Sequence, residues 1–258
     1  MEQGHIEQNP LARFKKPKGG RRETVISPEE FDCILDRVPN DAFRDLITFA
    51  WETGARASEC LAVEKRHVDL WNERIVFPQS EEKMERAPRV IYLSPAALQI
   101  VRRRLVAATG KLFLNTNRRP WTTEAVNCAF NAIRLRMGKE AMREKGIELP
   151  EEEVAELADR LKTKWIAKGK PAKKDGEFRE SARQRLWNKH AARHAPKYCL
   201  TVIRHSWCHR ALKRGLDALT VSQLMGHSDV SMVAKVYSHL SHAPDFLRDA
   251  MRRATGAA

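Results

Sequence analysis

Apolar residues recur along this chain at two spacings, and the changes between them mark its elements. Ser27-Pro28-Glu29-Glu30 opens the first helix, with Ser27 as N-cap, proline in the first turn and Glu30 placed to close a capping box. Phe43, Leu46, Ile47 and Ala50 follow at helical spacing until Gly54 stops them, and a second short helix is predicted from Ala57 to about Val63. The spacing then shortens. Strands are predicted at about 68–71 and 74–77 around an Asn72-Glu73 turn, and at 89–93, giving a small antiparallel sheet. Helices resume at about 95–107 and 123–136, and again at about 202–214, 218–225, 230–240 and 243–254. The predicted class is α+β, mainly α.

Two segments break this rhythm. Residues 1–24 contain Lys15-Lys16-Pro17-Lys18-Gly19-Gly20-Arg21-Arg22, a basic stretch without an apolar period that reads as a linker or DNA-tracking arm. Residues 138–197 are dense in Lys, Arg and Glu, which predicts a charged, solvent-facing helical insertion with a flexible tip around Lys168–Gly176. Its basic residues suit either DNA contact or simple solvation. The domain proper is read as 25–258, with 243–258 as a tail helix whose Phe246, Leu247 and Met251 could pack on a neighbouring protomer.

Length and charge narrow the partners. A chain of 258 residues with 42% apolar content sustains one main core. Lys and Arg outnumber Asp and Glu by 47 to 33, a surplus that points to a polyanion, nucleic acid ahead of acidic membrane, with solubility as the plain alternative. No apolar run approaches the roughly 20 residues of a membrane span, and the N-terminus lacks a signal-peptide pattern, so a cytoplasmic location is expected. Cys33, Cys60, Cys128, Cys199 and Cys208 are odd in number and scattered, which predicts reduced core thiols rather than disulfides or a zinc site.

The candidate chemistry lies in four short segments: Thr53-Gly54-Ala55-Arg56-Ala57-Ser58-Glu59-Cys60-Leu61, Arg204-His205-Ser206, Leu224-Met225-Gly226-His227-Ser228 and Tyr237-Ser238-His239-Leu240. Arg56 lies just beyond a helix stop, and Arg204 sits beside the apolar stripe of Ile203, Trp207 and Ala211, at the edge of the core. A guanidinium offers a planar fork of donors and a permanent charge, which suits phosphate. In this order the segments resemble the catalytic domain of the tyrosine recombinases, the phage-integrase type, over roughly residues 25–245.

That resemblance implies a site-specific DNA recombinase or integrase of mobile-element type, cutting and rejoining DNA without metal or cofactor. Arg56 and Arg204 would hold the non-bridging oxygens of the scissile phosphate. Tyr237 would attack to form a 3′-phosphotyrosyl link, His227 would hydrogen-bond a phosphate oxygen and assist proton movement at Tyr237, and Lys83 would protonate the departing 5′-oxygen, with Arg86 and Arg89 as neighbouring alternatives. Glu59 fits the family's acidic partner that orients site groups, and His205 is expected to brace the fold. Thr201 stands where the family usually has a histidine; it can donate a hydrogen bond but cannot shuttle a proton near neutral pH. Double-stranded DNA and a homotetramer assembled on it are the implied partners, with no membrane and no small molecule. A DNA-binding regulator that keeps the fold but does not cut is the alternative. A type IB topoisomerase shares the chemistry, and metal-dependent nucleases lack a clustered carboxylate triad here.

Overall fold

A computed structural model describes residues 24–81, 88–108, 110–227, 248, 251 and 252. Helix α1 (Pro28–Asp36) starts where Ser27 accepts a hydrogen bond from the Glu30 amide at 3.1 Å. The expected capping box closes on that side only. The Glu30 carboxylate instead accepts from the Tyr198 hydroxyl at 2.6 Å, tying α1 to a residue 168 positions away. Helix α2 (Asp41–Thr53) is capped by Asn40 and ends at Gly54 in the left-handed conformation, φ 62°. A Cβ at Gly54 would also lie 2.6 Å from the Trp207 ring, so both backbone and packing require glycine there.

Helix α3 (Ala57–Ala62) leads to a three-stranded antiparallel sheet of β1 (Val68–Asp69), β2 (Arg74–Phe77) and β3 (Arg89–Tyr92), in the order β1-β2-β3. Val68 pairs with Ile75, Ile75 with Ile91 and Phe77 with Arg89, so Ile75, Phe77, Arg89 and Ile91 share the buried face. Helices α4 (Pro95–Ala107) and α5 (Thr123–Glu144) begin at the caps Ser94 and Thr122. Helix α5 runs beyond the predicted end near 136 because Met142 is fully buried and continues its apolar face. Next come α6 (Glu151–Ile166), α7 (Asp175–Ala191), α8 (Leu200–Lys213) and α9 (Ala218–Met225). Helix α2 packs on α4 and α8, and α9 packs on α8 and β3.

The main core joins α1 through α5, the sheet and the first turn of α8, while Cys208, Ala211, Leu212, Val221 and Met225 form a second cluster between α8 and α9. Helices α6 and α7 form a hairpin with a third core of Val154, Ala158, Phe178, Ala182 and Leu186. The expectation of a merely solvated excursion misses this core. One apolar residue per turn, as in Phe178, Ala182 and Leu186, is enough to bury a line along a helix whose composition reads as charged. Cysteine placement also differs from expectation: Cys60 and Cys208 are buried, but Cys33 and Cys128 are exposed. All five are free. Among the described residues no helix is long and apolar enough to cross a membrane. The arm before residue 24 and the helices predicted at 230–240 and 243–254 lie outside the described residues or almost wholly so.

Candidate active site

Two helix ends and one strand converge on α8. Helix α2 ends at Gly54, two residues before Arg56; α9 ends at Gly226, φ 68°, one residue before His227. Arg204, on α8 between them, is only 7% exposed. Its Nη1 donates to the Gly54 carbonyl at 2.8 Å and its Nη2 to the Met225 carbonyl at 2.7 Å. The guanidinium thus satisfies carbonyls at the ends of both helices, where the backbone leaves acceptors unpaired and the helix dipole favours a cation. Burial lowers its pKa to about 10, the main influence, so it remains charged at neutral pH.

Arg56 and Arg89 flank Glu59. The Glu59 carboxylate accepts from Arg56 Nη1 at 2.6 Å, from the Arg56 amide at 2.7 Å and from Arg89 Nε at 3.1 Å. Arg56 Nη2 also donates to the Gly226 carbonyl. Burial opposes the charge on Glu59, yet Arg89, Arg56 and the Arg56 amide together hold its carboxyl below the usual carboxylate range. The role expected for Glu59 therefore has a geometry: it spaces two guanidiniums apart while cancelling only one of the cluster's positive charges.

The sequence offers Arg89 only as a stand-in for Lys83, whereas the structure places it inside the cluster. Its side chain is 5% exposed, and its Nη1 donates to the Val90 carbonyl at 2.5 Å. Its Nη2 is buried without a partner among the described residues. A signal was present in the sequence: Arg89 and Ile91 occupy alternate positions of β3, so an inward Ile91 implies an inward Arg89. Glycine at 226 permits this approach, since a Cβ there would lie 2.6 Å from Arg89 Nε.

His227 completes the cluster. Its Nε2 lies 2.9 Å from Arg204 Nη2, and because a guanidinium can only donate, Nε2 must accept and the ring proton must sit on Nδ1. That Nδ1 is buried and has no partner among the described residues. Burial, followed by the charges of Arg204, Arg56 and Arg89, lowers the His227 pKa to about 4. Two donors, Arg89 Nη2 and His227 Nδ1, are thus held ready beside a cluster whose three guanidiniums outnumber its one carboxylate, an arrangement suited to an anion with several oxygens.

A titration follows from this geometry. The His227 ring is expected to titrate near pH 4, below the ordinary histidine value of 6.5. Between those values the unfolded chain binds the proton and the native chain does not, so this group's contribution to stability is complete above about 6.5 and is lost as pH falls towards 4. Ring resonances followed by two-dimensional NMR check it; a midpoint at 6.5 or above would remove the hydrogen bond from Arg204.

Of the other expected residues, His205 follows Arg204 on α8 and is half-buried, with its pKa lowered by burial and by Arg204. Thr201 is exposed one turn before Arg204, in a groove between α3 and α5 that Ala57, Leu61, Asn127, Asn131 and Lys197 also line. Lys83 and Tyr237 lie outside the described residues.

Residues 25–147 match the model of the phage integrase family. That match ends after α5, so Arg204 and His227 join the comparison only through the fold. The Tn1549 transposon integrase in complex with transposon right end DNA is similar over 96% of this chain and 72% of its own, at 17% identity and a TM-score of 0.58. XerA recombinase is similar over 95% of this chain and 68% of its own, at 15% identity and a TM-score of 0.52. A lambda integrase dimer bound to a COC′ core site is similar over 90% of this chain and 53% of its own, at 13% identity and a TM-score of 0.51. No curated protein matches the chain. Residues 25–147 are thus of the phage integrase type, and the chain shares its fold with the Tn1549 integrase and XerA recombinase.

Proposed function

We propose that this protein is a site-specific DNA recombinase or integrase that cleaves and rejoins duplex DNA through a 3′-phosphotyrosyl intermediate on Tyr237. The observation that carries the reading is the cluster of Arg56, Arg89, Arg204 and His227, with two buried donors unpartnered among the described residues. DNA is the polyanion that fits, given a formal net charge of +14 and likeness to integrases solved on DNA.

In this mechanism the phosphate of the scissile bond accepts from the two unpartnered donors, Arg89 Nη2 and His227 Nδ1, beside the guanidiniums. Negative charge grows on the non-bridging oxygens as phosphorus becomes pentacoordinate, and fixed donors lower that barrier without reorganising. The Tyr237 oxygen bonds to phosphorus as the 5′-oxygen leaves. The phenol gives up its proton to solvent water as the bond forms, and Lys83 supplies one to the leaving oxygen. A phenol of ordinary pKa about 10 needs this cationic setting to attack at neutral pH. The covalent link conserves the energy of the phosphodiester, so a 5′-hydroxyl can reverse the step without a nucleotide or metal. Because His227 is neutral, its part is to donate a hydrogen bond from Nδ1 rather than to carry charge. Assembly as a homotetramer on two DNA partners and a cytoplasmic setting complete the proposal.

A nicked suicide substrate tests it. Unmutated protein is expected to form a denaturation-resistant DNA adduct, and Tyr237→Phe to form none while still binding. No adduct from the unmutated chain on its cognate site would favour the regulator, a reading that exposed Thr201, with no proton to shuttle, supports.

A further inference from the structure

The α6–α7 hairpin takes no part in the cluster around Arg204, and its tip carries an unbroken run of one sign of charge. From Lys162 to Lys174 there are six lysines and no Asp or Glu, whereas at the opposite end Glu148, Glu151, Glu152 and Glu153 are accompanied by Arg183, Arg185 and Lys189 of α7, and Arg183 pairs with Glu151 at 2.5 Å. A surface built only for solubility intersperses the two signs. At the tip, Lys162 pairs with Asp175 at 2.8 Å and Lys173 with Glu177 at 3.8 Å. Lys164, Lys168, Lys170 and Lys174 are exposed and form no ion pair among the described residues.

The tip is also organised. Lys170 Nζ lies 4.4 Å and Lys173 Nζ 5.2 Å from the centroid of the Trp165 ring, while Trp165 Nε1 donates to the Pro171 carbonyl at 2.8 Å. Stacking on the indole limits the freedom of both ammonium groups, so less entropy is lost when they meet a partner. Helix α7 has 17 residues and so carries the tip about 25 Å from Ala191, where the hairpin meets α5. That reach approaches one turn of duplex, about 34 Å.

We infer that the hairpin tip is a second phosphate-binding surface for duplex DNA, gripping backbone away from the bond held by the arginine cluster. This rests on the reading that the chain acts on DNA, but not on its cutting DNA. Lysines on an open surface suit contacts of this kind, since an ammonium meets a phosphate as a point charge and reads no base.

The test compares unmutated protein with K164Q/K168Q/K170Q/K174Q by fluorescence anisotropy on a long duplex of arbitrary sequence over a series of salt concentrations. Each lost phosphate contact should make the slope of log K against log salt shallower by about 0.9. The total expected change is about 2 to 4, restored by K164R/K168R/K170R/K174R. An unchanged slope in a variant with native circular dichroism would overturn the inference and leave the lysines to an acidic protein partner. Adduct formation on the suicide substrate is scored separately. If unmutated protein forms no adduct but the slopes differ, cleavage fails and the phosphate-binding tip stands. An adduct with equal slopes upholds cleavage and removes the tip from the DNA contacts.

Discussion

Arg204→Ala is expected to slow covalent adduct formation by about 10²–10³-fold, the usual result of removing one preorganised donor from a charge-stabilising site. The same substitution strips the Gly54 and Met225 carbonyls of their donor. Each buried acceptor left unpaired costs about 1–3 kcal/mol, less where water can enter. Two effects are therefore superimposed, and they separate by method. Single-turnover adduct formation, measured well below the melting temperature, reads the chemistry, and thermal unfolding reads the lost caps. Arg204→Lys keeps the charge but cannot span both carbonyls, so it should recover part of the stability and little of the rate. An alanine variant that is folded and cleaves within tenfold of the unmutated rate would show that the cluster does not hold the reacting phosphate.

The largest expected effect on stability lies far from that cluster, at Gly138→Ala. A Cβ at Gly138 would lie 1.9 Å from the Ala191 carbonyl oxygen and 2.5 Å from its carbon, both backbone atoms. Neither can swing aside as a side chain would. Alanine in a helix gains about 1 kcal/mol over glycine, whereas overpacking costs about 1–3 kcal/mol or more when backbone must shift. Separation of α5 from α7 is the expected outcome, seen as a lower melting temperature and faster proteolysis of the hairpin. A variant that melts higher than the unmutated protein would refute the close approach of these two helices.

Legibility in the sequence follows the range of the interaction. Caps, turns and alternation act over a few residues, and Ser27, Asn72-Glu73, Ser94-Pro95, Gly54 and Gly226 each mark a boundary that the structure shows. Arg56, Glu59, Arg204 and His227 are legible because each sits in a motif. The unforeseen contacts are long in sequence. Glu30 reaches Tyr198 instead of its own N-cap, and Arg89 enters the cluster through a glycine 137 positions later. The core of the hairpin is hidden for another reason. Its apolar line is one residue wide, and composition averages it away among the surrounding charges.

The carbonyls that hold Arg204 belong to Gly54 and Met225, and they come into position only when α2 and α9 have both wound and docked. Until then the guanidinium is solvated, and nothing fixes it beside Arg56. An immature polypeptide, newly made and not yet fully assembled, therefore holds no competent pocket. Cleavage on the proposed function would wait on the docking of both helices.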